Sequence, residues 1–83
     1  MFSMRENSVI ERLGDEKLTI KDISYSLFGA DADTPLNAEN LVSNNINRIN
    51  KKCKFYNLPW LLKKEKVGKK MYIHKIQVKV AHE

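Results

Sequence analysis

Between Asn40 and Lys54 the chain carries no acidic residue, and Asn40, Asn44, Asn47, Arg48 and Lys51 recur across that stretch. At about 100° per residue their spacing gathers them on one side of a helix. Asn and Arg are the side chains that make paired hydrogen bonds to adenine and guanine edges in the major groove of B-DNA, and Lys51 and Lys54 add charge suited to phosphate oxygens. A second cationic cluster lies at Lys64, Lys66, Lys69 and Lys70, around Gly68. These residue types suit recognition of a polyanion that displays base edges. Duller uses exist for both groups. Any amphipathic helix has a solvated face, although such faces usually mix Glu with Lys and do not favour Asn, a mediocre helix former. Lysines on exposed strands also block edge-to-edge aggregation.

Bond-making chemistry is poorly supplied. The sequence holds no glycine-rich phosphate loop, no paired-carboxylate motif and no Ser/Cys–His arrangement, so no catalytic residue is assigned and the protein reads as a non-enzyme without a cofactor. His74 and His82 have no second thiol or carboxylate at metal-ligand spacing, and no metal is assigned. The single cysteine, Cys53, cannot form an intramolecular disulfide; it falls on an apolar stripe and reads as a small buried hydrophobe in a reducing, cytoplasmic setting. Trp60 reads as a core or hairpin-base anchor, since stacking on a nucleobase would matter only for single strands.

The elements that must carry these residues are set by periodicity. Val9, Ile10 and Leu13 predict a first helix over Glu6 to Leu13, closed by Gly14. Leu18-Thr19-Ile20 is a strand stub, with Thr19 suited to cap the next helix. Ile20, Ile23 and Leu27 then predict that short second helix, with Asp22 near its N-terminus and Gly29 as its stop. Gly29 to Pro35 is a loop by its small and acidic residues. Asn37 is expected to cap a long third helix from Ala38 to about Tyr56, whose inner stripe is Val42, Ile46, Ile49, Cys53 and Tyr56. After Pro59, Trp60 to Val67 reads as a strand that leaves the core, Gly68-Lys69-Lys70 as a turn, and Met71 to Val80 as a returning strand. In that second strand Tyr72, His74, Ile76, Val78 and Val80 share one face, with Lys75, Gln77 and Lys79 on the other.

Eighty-three residues suffice for one domain spanning 1–83 and exclude a large catalytic fold. A 42% hydrophobic composition with only 3 Gly and 2 Pro excludes a disordered, low-complexity segment. The net charge of +5 is unevenly spread: residues 1–42 carry 4 basic and 8 acidic groups, whereas residues 43–83 carry 11 basic and 2 acidic ones. Segregation of this kind points the second half toward a polyanion. No stretch approaches the ~20 apolar residues of a membrane span, and the N-terminus lacks a signal-peptide core. A membrane-surface helix is disfavoured too, because the stripe is narrow and lacks Leu, Phe and Trp bulk.

The predicted class is α+β: three helices and a C-terminal β-hairpin, with a polar long helix beside a lysine-rich hairpin tip, which is the plan of a winged helix-turn-helix. Leu18-Thr19-Ile20-Lys21-Asp22-Ile23 with Phe28-Gly29, Asn45 to Cys53, and Lys66 to Tyr72 resemble the winged-helix effector domain of OmpR/PhoB-type response regulators over roughly residues 18–73. The resemblance implies a positioning helix over Leu18–Gly29, a recognition helix over Asn45–Cys53 and a wing closed by Gly68 and Tyr72. Asn44, Asn47, Arg48 and Lys51 would then face the groove, and Lys69 and Lys70 would approach phosphate or the minor groove. Ile49 and Asn50 stand where the family usually has Leu-Arg. A receiver domain and the family's N-terminal antiparallel sheet have no counterpart, so phosphorylation control is not implied.

The leading expectation is a small double-stranded-DNA-binding regulator that reads bases through Asn40, Asn44, Asn47 and Arg48 and holds phosphates through Lys51, Lys54, Lys64, Lys66, Lys69 and Lys70. The alternative is a winged-helix interaction module that binds a component of the transcription or replication machinery, with the acidic Asp31 and Asp33 as a surface that DNA would repel. A homodimer formed by pairing of Lys75 to Val80 across a two-fold axis is a further expectation.

Overall fold

A computed structural model describes residues 1–29 and 37–78 of the chain. The elements run α1 (Met4–Leu13), β1 (Leu18–Thr19), α2 (Ile20–Phe28), α3 (Ala38–Phe55), β2 (Trp60–Val67) and β3 (Lys70–Gln77). The described residues thus form a small α+β fold of three helices and a three-stranded antiparallel sheet. Among them, no helix is long and apolar enough to cross a membrane.

Helix starts are set by local side-chain chemistry. Ser3 Oγ accepts from Glu6 N–H at 3.1 Å, and Glu6 Oε1 accepts from Ser3 N–H at 2.9 Å. This reciprocal cap draws α1 back to Met4, two residues ahead of the expected start at Glu6. Thr19 and Asp22 repeat the arrangement at the head of α2, so Ile20 belongs to the helix and not to the strand stub. The Thr19 bonds hold the Asp22 carboxyl below its ordinary range. Asn37 precedes α3 as expected but makes no side-chain capping bond. The expected loop from Gly29 to Pro35 lies, beyond Gly29 itself, outside the described residues, as do Asp31, Asp33, Lys79, Val80 and His82.

The core is one cluster in which Val42, Ile46, Ile49 and Cys53 of α3 meet Val9 and Leu13 of α1, Ile23 of α2, Leu62 of β2 and Ile73 of β3. Burial raises the Cys53 thiol above its usual pKa. Tyr56 departs from the expected stripe. The helix ends at Phe55, and Tyr56 sits at the C-cap 47% exposed, followed by Asn57 in the left-handed region at φ 58°. Tyr56 N–H still bonds Lys52 O in helical register, but the core on this stripe ends at Cys53 and the chain leaves the helix at Asn57, so Tyr56 is left uncovered. Trp60 packs half-buried against the core edge, its ring 6.0 Å from that of Phe2.

The sheet order is β1-β3-β2, so the expected two-stranded hairpin gains a third strand. Leu18 pairs with Ile73 and Lys64 pairs with the same Ile73 from the other side. Opposed residues in an antiparallel sheet share a face, so Leu18, Ile73, Leu62 and Lys64 lie on the helix side. The enclosed face of the last strand is thus the one that carries Ile73 and Lys75, not the more apolar face shared by Tyr72, His74 and Ile76. Tyr72, His74 and Ile76 are only half-buried, while Ile73 is fully enclosed. Apolar residues are more numerous at the even positions, but neighbours on both sides and helices above enclose position 73. The turn is Gly68-Lys69, with Gly68 at φ 64°, and Lys70 already belongs to β3.

Candidate nucleic-acid interface

With its apolar side held by the core, α3 turns Asn40, Asn44, Asn47, Arg48, Lys51 and Lys54 outward, and all six are exposed. Lys64, Lys66, Lys69 and Lys70 are exposed along the β2–β3 hairpin. Eighteen helical residues extend about 27 Å at 1.5 Å per residue. The ridge is thus long, polar and free of acid from Asn40 onward, with Glu39 at its N-terminal foot.

One flank of the ridge is set by β2. In the β2–β3 ladder the N–H of Val78 donates to Pro59 O, which makes alternate residues from Pro59 onward the hydrogen-bonded ones. Leu62 and Lys64 therefore point their backbone groups away from β3. Asn50 uses this: its Nδ2 donates to Leu62 O and its Oδ1 accepts from Leu62 N–H, both at 2.8 Å. One turn closer to the N-terminus, Lys64 Nζ donates to Asn47 Oδ1 at 3.1 Å and to Ser43 Oγ at 3.3 Å. Asn47 and Lys64 are thereby brought together, and the Asn47 amide is oriented by the lysine. Sequence reasoning missed Asn50 as a docking residue. Its offset from the polar ridge toward the inner stripe was the available signal.

The other flank is α1. Lys52 Nζ reaches the Glu6 carboxylate at 2.6 Å, and Glu6 is only 3% exposed. Burial pushes this carboxyl up, but the Lys52 ammonium and the Ser3 backbone N–H outweigh it and leave its pKa below the usual range. Beside this pair a groove of about 270 Å³ opens between α1 and α3, lined by Ser3, Arg5, Leu41, Asn44, Asn45 and Arg48. Arg5, which the sequence did not single out, holds its guanidinium 5.0 Å from the Phe28 ring centre.

The hairpin end is electrostatically mixed. Lys69 and Lys70 line a larger groove of about 470 Å³ with Lys21, but Asp22 and Glu39 line it as well. On the sheet face away from the helices, Lys17 Nζ contacts the Glu65 carboxylate at 2.8 Å and lies 5.7 Å from the Tyr72 ring centre. The Lys17 contact holds the Glu65 carboxyl below its ordinary pKa. His74 Nε2 lies 3.4 Å from the same carboxylate. At the end of α3, Phe55 is 81% exposed and meets the Tyr56 ring edge-on at 5.0 Å. Among the described residues, no group of three or more His, Cys, Asp or Glu is placed to hold a metal ion.

Comparison with protein-family models, curated proteins and solved structures finds no match to the chain.

Proposed function

We propose that this chain is a winged-helix protein that binds double-stranded DNA, laying α3 in the major groove with the β2–β3 hairpin as a wing on the backbone. It acts by occupancy, as a non-enzymatic regulator of transcription in the cytoplasm, and needs no cofactor. The observation that carries this reading is the outward, acid-free ridge from Asn40 to Lys54 bordered by Lys64. A helix fits the groove, which is about 12 Å wide, and Asn and Arg match adenine and guanine edges there. Asn47 and Lys64 support a division of labour, with the amide aimed at a base and the ammonium beside it aimed at phosphate.

The test is selection of bound duplexes from a random pool, then affinity measurements of the selected site across a salt series. Enrichment of a defined motif with an affinity that falls steeply as salt rises supports the reading. Absence of duplex binding at low salt overturns it.

One observation favours a second reading. The exposed Phe55–Tyr56 pair is an apolar feature that a duplex does not require, and aromatic residues are enriched at protein interfaces. In that case the same scaffold is an interaction module for a component of the transcription or replication machinery. Retention on an acidic protein partner that is lost in Phe55→Ala, without duplex binding, would select this reading over the first.

A further inference from the structure

The ridge of α3 has two flanks, and they differ in a way that assigns a further binding site. On the β2 side the cation is Lys64, bonded to Asn47 and Ser43. On the α1 side the groove of about 270 Å³ brings Arg5 and Arg48 to one opening with the amide groups of Asn44 and Asn45 and the hydroxyl of Ser3. Among the described residues, no carboxylate lines it. The nearby Glu6 carboxylate is buried and already bonded to Ser3 N–H and Lys52 Nζ. The larger groove at the hairpin tip lacks this purity, because Asp22 and Glu39 share it with the lysines.

Guanidinium forks match the tetrahedral oxygens of phosphate, and this groove is lined by two arginines together with the neutral amides of Asn44 and Asn45, the Asn45 Nδ2 already donating to Leu41 O at 2.9 Å. Arg5 holds its guanidinium 5.0 Å from the Phe28 ring centre, a cation–π contact that limits the freedom of this side chain. Asn44 and Arg48 lie both on the ridge and in the groove, so a duplex held by the ridge would come within reach of the opening.

We propose that the Arg5–Arg48 groove binds a backbone phosphate of the DNA strand on the α1 side of the major groove, opposite the strand approached by Lys64. The protein would then grip both walls of the groove, with α1 as the second clamp. This assignment rests on the reading of α3 as a groove-entering helix. It adds Arg5, a residue outside the ridge and the hairpin, to the DNA contacts.

The experiment measures duplex affinity against salt for the full chain and for Arg5→Gln and Arg5→Lys, with thermal unfolding of each variant as a check on folding. Loss of one phosphate contact lowers the slope of log affinity against log salt by about 0.9. The expected result is that loss in Arg5→Gln, with unchanged base preference and partial recovery in Arg5→Lys. A folded Arg5→Gln variant with the wild-type slope overturns the proposal while leaving duplex binding intact. In parallel, inorganic phosphate is titrated into the DNA-free protein while the arginine side-chain Nε–H signals are tracked by NMR. If the wild type binds no duplex, the functional reading falls. Saturable shifts of Arg5 and Arg48 then still support a phosphate site, one filled by a free phosphate group, and their absence overturns it.

Discussion

Asn50 takes the place of a neighbouring strand at Leu62, offering its amide to both the N–H and the C=O of that residue at 2.8 Å. Leu62 lies on the outer edge of the sheet, where among the described residues no fourth strand flanks β2. The amide therefore does two things at once. It satisfies backbone groups that would otherwise be closed off by α3, and it fixes the distance between the helix and the hairpin.

Asn50→Asp keeps the shape and the acceptor but removes the donor to Leu62 O, placing a carboxylate against a carbonyl. It should destabilise the protein by about 2 kcal/mol near neutral pH, within the range for a buried polar group left unpaired. Urea unfolding measures this directly. The loss should shrink on acidification through the ordinary aspartate range, because the protonated acid regains a donor. A pH-independent loss would count against the geometry.

How far the sequence spoke depends on how local each determinant is. Thr19 and Gly29 mark the ends of α2 as expected, because a cap and a stop depend on residues within a turn or so. The outward ridge of α3 was legible for the same reason: helical phase over one stretch decides it. Ile73 was not, since its burial depends on pairing with β1, far away in sequence. Asn50, Lys52 and Arg5 were also missed. Each gains its role from a partner on another element, Leu62, Glu6 and Phe28 respectively, and spacing along the chain carries no trace of such meetings.

The Glu6–Lys52 pair makes an asymmetric prediction. Lys52 is about one-third exposed and can move its ammonium into water when Glu6 is lost, whereas Glu6 is enclosed and cannot. Lys52→Ala should therefore cost about 2 kcal/mol, below the range for a fully buried pair because Ser3 N–H still bonds the carboxylate, and Glu6→Gln less. Equal losses in urea unfolding would contradict this account.

The same carboxylate shapes the pH dependence. The folded-state pKa of Glu6 lies below its unfolded value, about 4.3, so its stabilising contribution is fully present above that value. It is lost as pH falls through the depressed folded-state pKa. Asp22 and Glu65 are shifted the same way and add to the effect. Stability measured from about pH 6 to about pH 2 should fall in the acid range, and the fall should be shallower in Glu6→Gln. An identical slope in the variant would remove Glu6 from the explanation.

Replacement of the basic residues should separate position from charge. Arg48→Ala should weaken all sequences alike and lower the salt slope by about 1, because the proposed groove commits its guanidinium to a phosphate beside Arg5. Lys69→Ala should weaken all sequences alike and lower the salt slope by about 1, because a hairpin-tip lysine carries no base information. Lys64→Ala should do more. Its ammonium is a phosphate contact, and it also orients the Asn47 amide, so its loss lowers the salt slope and blurs the base that Asn47 reads. A cycle that combines Lys64→Ala with Asn47→Ala decides the matter. Coupled losses at one base position are expected. Independent, additive losses would mean that Lys64 acts as a charge alone.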